Sequence, residues 1–199
     1  MGYSNFKKLK QVTDKFQVKT RMISLFSGIE DILPSDWLTK SLEIAYFAPL
    51  SNEKAKSERL VSPILLEVLG SYKDDISFFS GQELDINAQD DLAGACDFFF
   101  ALSPPSMVLE APIISLAEAK DEDMEWGLAQ CCAQIYAAHL FNESQGKKMD
   151  ILYGCATTGI EWQFIKLENA CFYIDKKPMT HLPQILGTWH WIIQQFVKV

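Results

Sequence analysis

Two short apolar runs at the centre of the chain, residues 96–102 and 113–120, constrain the fold more than any other feature. Both are too short to be long helices, and Pro104-Pro105 closes the first. Nearly continuous apolar runs of this length read as strands buried within a sheet. Each also carries charge: Asp97 interrupts the first, and Glu118 and Lys120 end the second. Burying such groups is costly unless they are paired, so these three residues call for an explanation first.

Helical patterns surround the two runs. Phe6, Leu9, Val12 and Phe16 have the spacing of an amphipathic helix over 3–16, and a short helix over 29–33 would stop at Pro34. Pro34-Ser35-Asp36 supplies turn and cap chemistry. Leu60, Val61, Ile64, Leu65, Val68 and Leu69 predict a helix within 51–70, with Pro63 marking a kink or a start and Gly70 as its C-cap. Residues 76–79 and 84–86 predict two strands around a Ser80-Gly81 turn. A long helix follows over 124–141, then strands at 151–157 and 160–167, a further strand at 172–174, and a closing helix over 183–197. This order predicts an α/β (α+β) fold, a mixed central sheet flanked by helices. Residues 1–50 read as a helical extension, basic at its start, and residues 51–199 as the main domain.

With 48% hydrophobic and 22% charged residues, 199 residues can build one core. No apolar run approaches the ~18 residues of a membrane span, and the basic start lacks the apolar stretch of a secretory signal. The five cysteines form no CxxC pair, which fits buried thiols in a reducing cytoplasm. The net charge of −8 with two arginines argues against a dedicated high-affinity nucleic-acid binder. The charge is uneven, however. Residues 1–21 carry Lys7, Lys8, Lys10, Lys15, Lys19 and Arg21 against Asp14, a local +5 that leaves −13 for the rest. Such a segment is either an arm for phosphates or a solvated helix face. The acids Asp121, Glu122, Asp123 and Glu125 read as the charge bias of a helix N-terminus.

Strand side chains alternate, so Glu118 and Lys120 share a face while Ala119 points away. If the two runs pair as a hairpin, Asp97 lies beside Glu118. Two adjacent carboxylates repel unless a cation sits between them, and Mg²⁺, a hard ion that keeps several waters, suits such a pair. The Ala119 carbonyl could add an oxygen ligand. A neighbouring lysine can orient a water or stabilise charge on a phosphate.

Gly94-Ala95-Cys96-Asp97 followed by Glu118-Ala119-Lys120, with the acids 21 positions apart, resembles the PD-(D/E)XK nuclease superfamily. Ser57-Glu58-Arg59-Leu60-Val61-Ser62-Pro63-Ile64-Leu65 is similar to the first helix of that fold, and the stretch from Gly127 to Tyr136 is similar to its glutamine-bearing helix. The same region resembles the N-terminal nuclease part of type I restriction enzyme R subunits. The resemblance covers about residues 50–175 and lacks the proline that often precedes the first acid. It implies a restriction-endonuclease-like fold and phosphodiester hydrolysis of DNA with Mg²⁺ or Mn²⁺. Its metal ligands map onto Asp97, Glu118 and the Ala119 carbonyl, and its catalytic lysine onto Lys120. Its glutamine maps onto Gln130 or Gln134, and its first-helix acid onto Glu53, Glu58 or Glu67, with Glu58 favoured. Expected partners are DNA, held weakly by the isolated chain, and either a second copy or a partner subunit. The competing expectation is a catalytically silent module of the same fold that binds nucleic acid or protein.

Overall fold

The computed structural model describes residues 2–120 and 123–197, and a mixed seven-stranded sheet is its framework. In chain order the strands are β1 (Lys19–Ile23), β2 (Ser77–Glu83), β3 (Ala95–Ala101), β4 (Ile113–Ala119), β5 (Ile151–Thr157), β6 (Trp162–Glu168) and β7 (Cys171–Asp175). They are arranged β1-β7-β6-β5-β4-β3-β2. The β1–β7 and β4–β5 pairs are parallel and the others antiparallel. The helices are α1 (Leu9–Phe16), α2 (Asp36–Ala45), α3 (Glu53–Lys56), α4 (Ser62–Tyr72), α5 (Met124–Ser144) and α6 (Leu182–Gln194). The expected α/β architecture, a mixed sheet flanked by helices, is present.

Two apolar clusters cover the two faces of the sheet. One packs α5 and the N-terminal segment against it through Phe6, Val12, Phe99, Leu116, Ile135 and Phe172. The other packs α2, α4 and α6 through Leu38, Leu65, Phe100, Phe164, Trp189 and Ile193. Close approach of α5 to β5 requires glycine at 154, since a Cβ there would collide with the Ile135 side chain. All five cysteines are buried and free. Among the described residues no helix is long and apolar enough to cross a membrane.

Several local expectations give way to tertiary context. Residues 29–33 are not helical. They run alongside α6, where Ile32 N–H donates to Pro183 O and the backbone at Glu30 leaves no room for a Cβ on Gly187. The helix α2 starts after Ser35, whose Oγ caps Leu38 N–H at 3.2 Å. Gly70 does not end α4, which continues to Tyr72, a buried ring whose hydroxyl lies 3.0 Å from His190 Nδ1. Between α3 and α4 the helix widens into a π turn, Ser57–Val61, with Ser62 N–H donating to Ser57 O just before Pro63. Proline lacks the N–H needed by a regular turn here, so the distortion precedes it.

Ser80-Gly81 is not a hairpin turn. The strand β2 runs through it, and residues 84–86 form no strand of their own. Gly81 has φ 64° and occupies the position opposite Asp97, between the pairs Ser80↔Phe98 and Gln82↔Cys96. β1 escapes detection by pattern because KTRMI is an almost wholly exposed edge strand with no apolar alternation. With β1 in the sheet and Tyr3, Phe6 and Val12 in the core, residues 2–50 are built into the same fold.

Candidate active site

The strands β3 and β4 form an antiparallel hairpin whose last pairs toward this end are Phe98↔Ala117 and Phe99↔Leu116. Beyond that rung their backbones part, and Asp97 fills the gap. Its Oδ2 accepts the Ala119 N–H at 2.8 Å, so a side chain replaces the next ladder bond. Lys120 N–H donates to Thr157 O on β5. Neighbouring residues of a strand send their polar groups to opposite edges, which aims the Ala119 carbonyl at the Asp97 side. Alternation also turns Glu118 toward α5, where Gln134 Nε2 donates to Glu118 Oε2 at 2.7 Å. Lys120 Nζ lies 2.9 Å from Glu118 Oε1, 3.5 Å from Glu53 Oε1 and 5.4 Å from the centre of the Trp126 ring. Gly127 lets the lysine stem pass, since a Cβ there would sit 3.1 Å from Lys120 Cγ.

Burial dominates the electrostatics of this group. Glu118 is 1% exposed, and desolvation followed by the Asp97 carboxylate pushes its pKa up to about 8. Lys120 and Gln134 oppose that rise. Burial also raises the pKa of Asp97, against the Ala119 N–H and Lys120, while Glu53 adds to the rise. For Lys120, desolvation favours the neutral amine, but Glu118, Glu53 and Asp97 together outweigh it and hold the ammonium above its ordinary range. The two acids and the lysine therefore form one coupled unit in which a proton stays near Glu118.

An open cleft of about 330 Å³ borders Asp97 and is also lined by Glu53, Lys54, Ser57, Glu58 and Ser80. Among the candidate first-helix acids, Glu53 reaches Lys120. Glu58, the favoured one, instead pairs with Lys54 at 2.7 Å on the exposed rim. Glu67 lies elsewhere on α4, accepting from Ser35 N–H and Oγ at 2.7 and 2.8 Å. Glu53 and Glu58 both line the cleft, and the π turn and the packing of α3 decide that Glu53 is the one that reaches Lys120. Of the two glutamines, Gln134 contacts Glu118, while Gln130 is 7% exposed with its Oε1 unpartnered. Asp123 caps Trp126 N–H at 3.0 Å and Glu125 lies in the first turn of α5, as a helix-start bias requires. Asp121 and Glu122 lie outside the described residues. Sequence reasoning missed Trp126, because no repeat links the end of a strand to the first turn of the next helix.

The donor set suits a hard cation in part. Glu118 Oε1 is buried without an aligned hydrogen bond, its contact with Lys120 being an ion pair of poor hydrogen-bond geometry. Asp97, Glu118 and the Ala119 carbonyl present oxygen atoms at one strand end. Mg²⁺ commonly takes only one or two carboxylates, with waters and substrate phosphates completing its shell. Among the described residues, no group of three or more histidine, cysteine or acidic side chains is arranged to hold a metal ion. The residues thus fit a two-carboxylate Mg²⁺ or Mn²⁺ site and do not fit an all-protein cage.

No protein-family model matches the chain, and no curated protein matches it.

Proposed function

We propose that this protein is a metal-dependent nuclease that hydrolyses phosphodiester bonds of DNA at Asp97, Glu118 and Lys120. The observation that carries the proposal is the convergence of two buried-side carboxyls and a lysine where two neighbouring strands part beside an open cleft. Strand ends that merely bear surface charge would have no reason to bury Glu118 and tie it to Gln134. The sequence resemblance to PD-(D/E)XK nucleases supports the same reading.

In this mechanism Asp97 and Glu118 would hold Mg²⁺ or Mn²⁺, assisted by the Ala119 carbonyl, and the ion would supply Lewis acidity there. The Ala119 N–H and Gln134 fix the orientation of the two carboxylates. Lys120, kept charged by its acidic neighbours, orients the attacking water or neutralises charge building on the phosphate. Glu53 holds the ammonium at the cleft side.

The test follows cleavage of single-stranded, duplex and flapped DNA in Mg²⁺, in Mn²⁺ and in chelator. Metal-dependent cleavage lost in both Asp97→Ala and Lys120→Ala supports the proposal. Activity identical in wild type and Lys120→Ala would point to a contaminating enzyme. A second reading, a silent module of this fold that binds nucleic acid or protein, draws support from the acidic balance outside residues 1–21 and from the two-carboxylate donor set. Calorimetric metal binding without cleavage of any substrate would favour it.

A further inference from the structure

The basic N-terminal segment has no role in the chemistry proposed above, yet the fold brings part of it to the same site. Lys7 Nζ lies 5.6 Å from the centre of the Trp126 ring, and Lys120 Nζ lies 5.4 Å from the same centre, so the two ammonium groups are at most 11.0 Å apart. This approach is built into the core. Tyr3 is buried and its hydroxyl donates to Leu84 O, and Phe6 is buried against Phe16. The N–H groups of Lys7 and Lys8 both donate to Gln11 Oε1, at 2.8 and 2.9 Å. The backbone at Lys7 is therefore held while its side chain stays exposed.

Two other lysines of this stretch differ in a telling way. Lys10 is paired with Asp14 at 2.8 Å, and Lys15 with Asp91 at 3.3 Å. Among the described residues no carboxylate lies within ion-pairing distance of Lys7, whose ammonium lies over the Trp126 indole. Phosphates of one strand are set ~3.4 Å apart along a duplex axis. A separation of at most 11.0 Å therefore matches phosphates within about three nucleotides of each other.

We propose that Lys7 and Trp126 form a substrate track beside the cleft, with Lys7 gripping a phosphate of the DNA strand a few nucleotides from the one at Lys120. This rests on the nuclease reading for the identity of the ligand. Lys7 is a positioning residue: it adds binding energy and register and takes no part in the chemical step. The half-buried ring of Trp126 attracts the Lys7 ammonium and offers an apolar surface to a sugar or a base.

Fluorescence anisotropy with a labelled single-stranded oligonucleotide, in chelator so that nothing is cut, tests the track. The full chain is titrated at several salt concentrations as wild type, Lys7→Ala, Lys7→Arg and Lys10→Ala. Loss of one phosphate contact should flatten the plot of log affinity against log salt by about 0.7 for Lys7→Ala, or about 0.9 on duplex. Between 50 and 200 mM salt, its gap from wild type on the single strand then narrows about 2.6-fold. Lys7→Arg should restore the slope, and Lys10→Ala, which removes the same charge from a paired site, should leave it unchanged. Equal slopes for wild type and Lys7→Ala overturn the track. Metal-dependent cleavage alongside equal slopes would leave the nuclease reading standing. A slope loss without cleavage in any metal would keep the track and remove the nuclease chemistry. A wild type that binds no oligonucleotide at low salt overturns the track outright.

Discussion

The two faces of the sheet are packed by different means. On one face α6 buries Trp189, which meets Phe100, Trp162 and Phe164 edge-on with ring centres 5.4–6.3 Å apart. Nothing in that cluster is charged, and its strength is area and shape. On the other face α5 buries polar groups against β4. Asn142 clamps the start of that strand, donating to Ile113 O at 2.7 Å and accepting from Ile113 N–H at 2.8 Å. Gln134 holds the far end through Glu118. The helix therefore fixes β4 at both ends with amide side chains, and the strand end that carries the reactive groups cannot drift. The contrast teaches a division of labour: the aromatic face supplies stability, and the amide face trades some of it for a fixed, partly desolvated charge cluster.

Substitutions can break this contrast, and the largest effects belong to the charged group. Asp97→Ala and Glu118→Ala should abolish both calorimetric metal binding and cleavage. Lys120→Ala should leave the ion bound and lower turnover by about 10²–10⁴-fold, the usual reach of a positioned proton-transfer or charge-stabilising group. On the aromatic face, Trp189→Ala should cost about 3–5 kcal/mol of stability in denaturant unfolding. Asn142→Ala, which strands a buried N–H and C=O, should cost about 1–3 kcal/mol. If Asn142→Ala proves as costly as Trp189→Ala, the amide face is as structural as the aromatic one.

A pH experiment sharpens the comparison further. The pKa of Glu118 is raised to about 8 in the folded chain, mainly by burial and then by Asp97. Between its ordinary carboxyl range and that value the folded state holds a proton that the unfolded state has lost. Stability should therefore fall as pH rises from about 5 to 8. Glu118→Gln should reduce that slope, leaving the part due to Asp97, and raise the melting temperature at pH 8, by about 2–4 °C for each kcal/mol relieved. A wild-type melting temperature flat across this window would mean that Glu118 ionises as an exposed acid does. The smallest effect should separate the glutamines. Gln134→Ala should reduce cleavage more than Gln130→Ala, because only the former loses a hydrogen bond to Glu118.

The sequence carried the strand-borne acids, the succession of β3, β4, α5, β5 and β6, and the length of α5 because these depend on local pattern. Apolar runs of strand length, a 3.6-residue repeat and the alternation of side chains place Asp97 on β3, Glu118 on β4 and Lys120 just past its end without knowledge of neighbours. The same local logic failed at Gly70, at Ser80-Gly81 and over 29–33, where packing against α6 and pairing with β3 overrode turn and helix signals. Residues 1–21 show the limit most clearly. As a sequence they are a charged segment that could be removed, whereas in the fold Tyr3, Phe6 and Val12 are core residues and β1 is an edge strand. Deleting them should unfold the protein rather than report on phosphate binding.

Which helix residue answers which strand residue was beyond any pattern. Glu53 against Lys120, Gln134 against Glu118, and Lys7 beside Trp126 are all contacts between segments distant in the chain. A repeat along one helix confines a residue to a face, but the angle and height at which two elements meet come from the summed packing of both cores. The sequence by itself determined the kinds of charged group that a buried strand end would offer. The tertiary structure alone decided their partners, because a 2.7 Å hydrogen bond between residues 16 positions apart exists only once sheet and helix have docked.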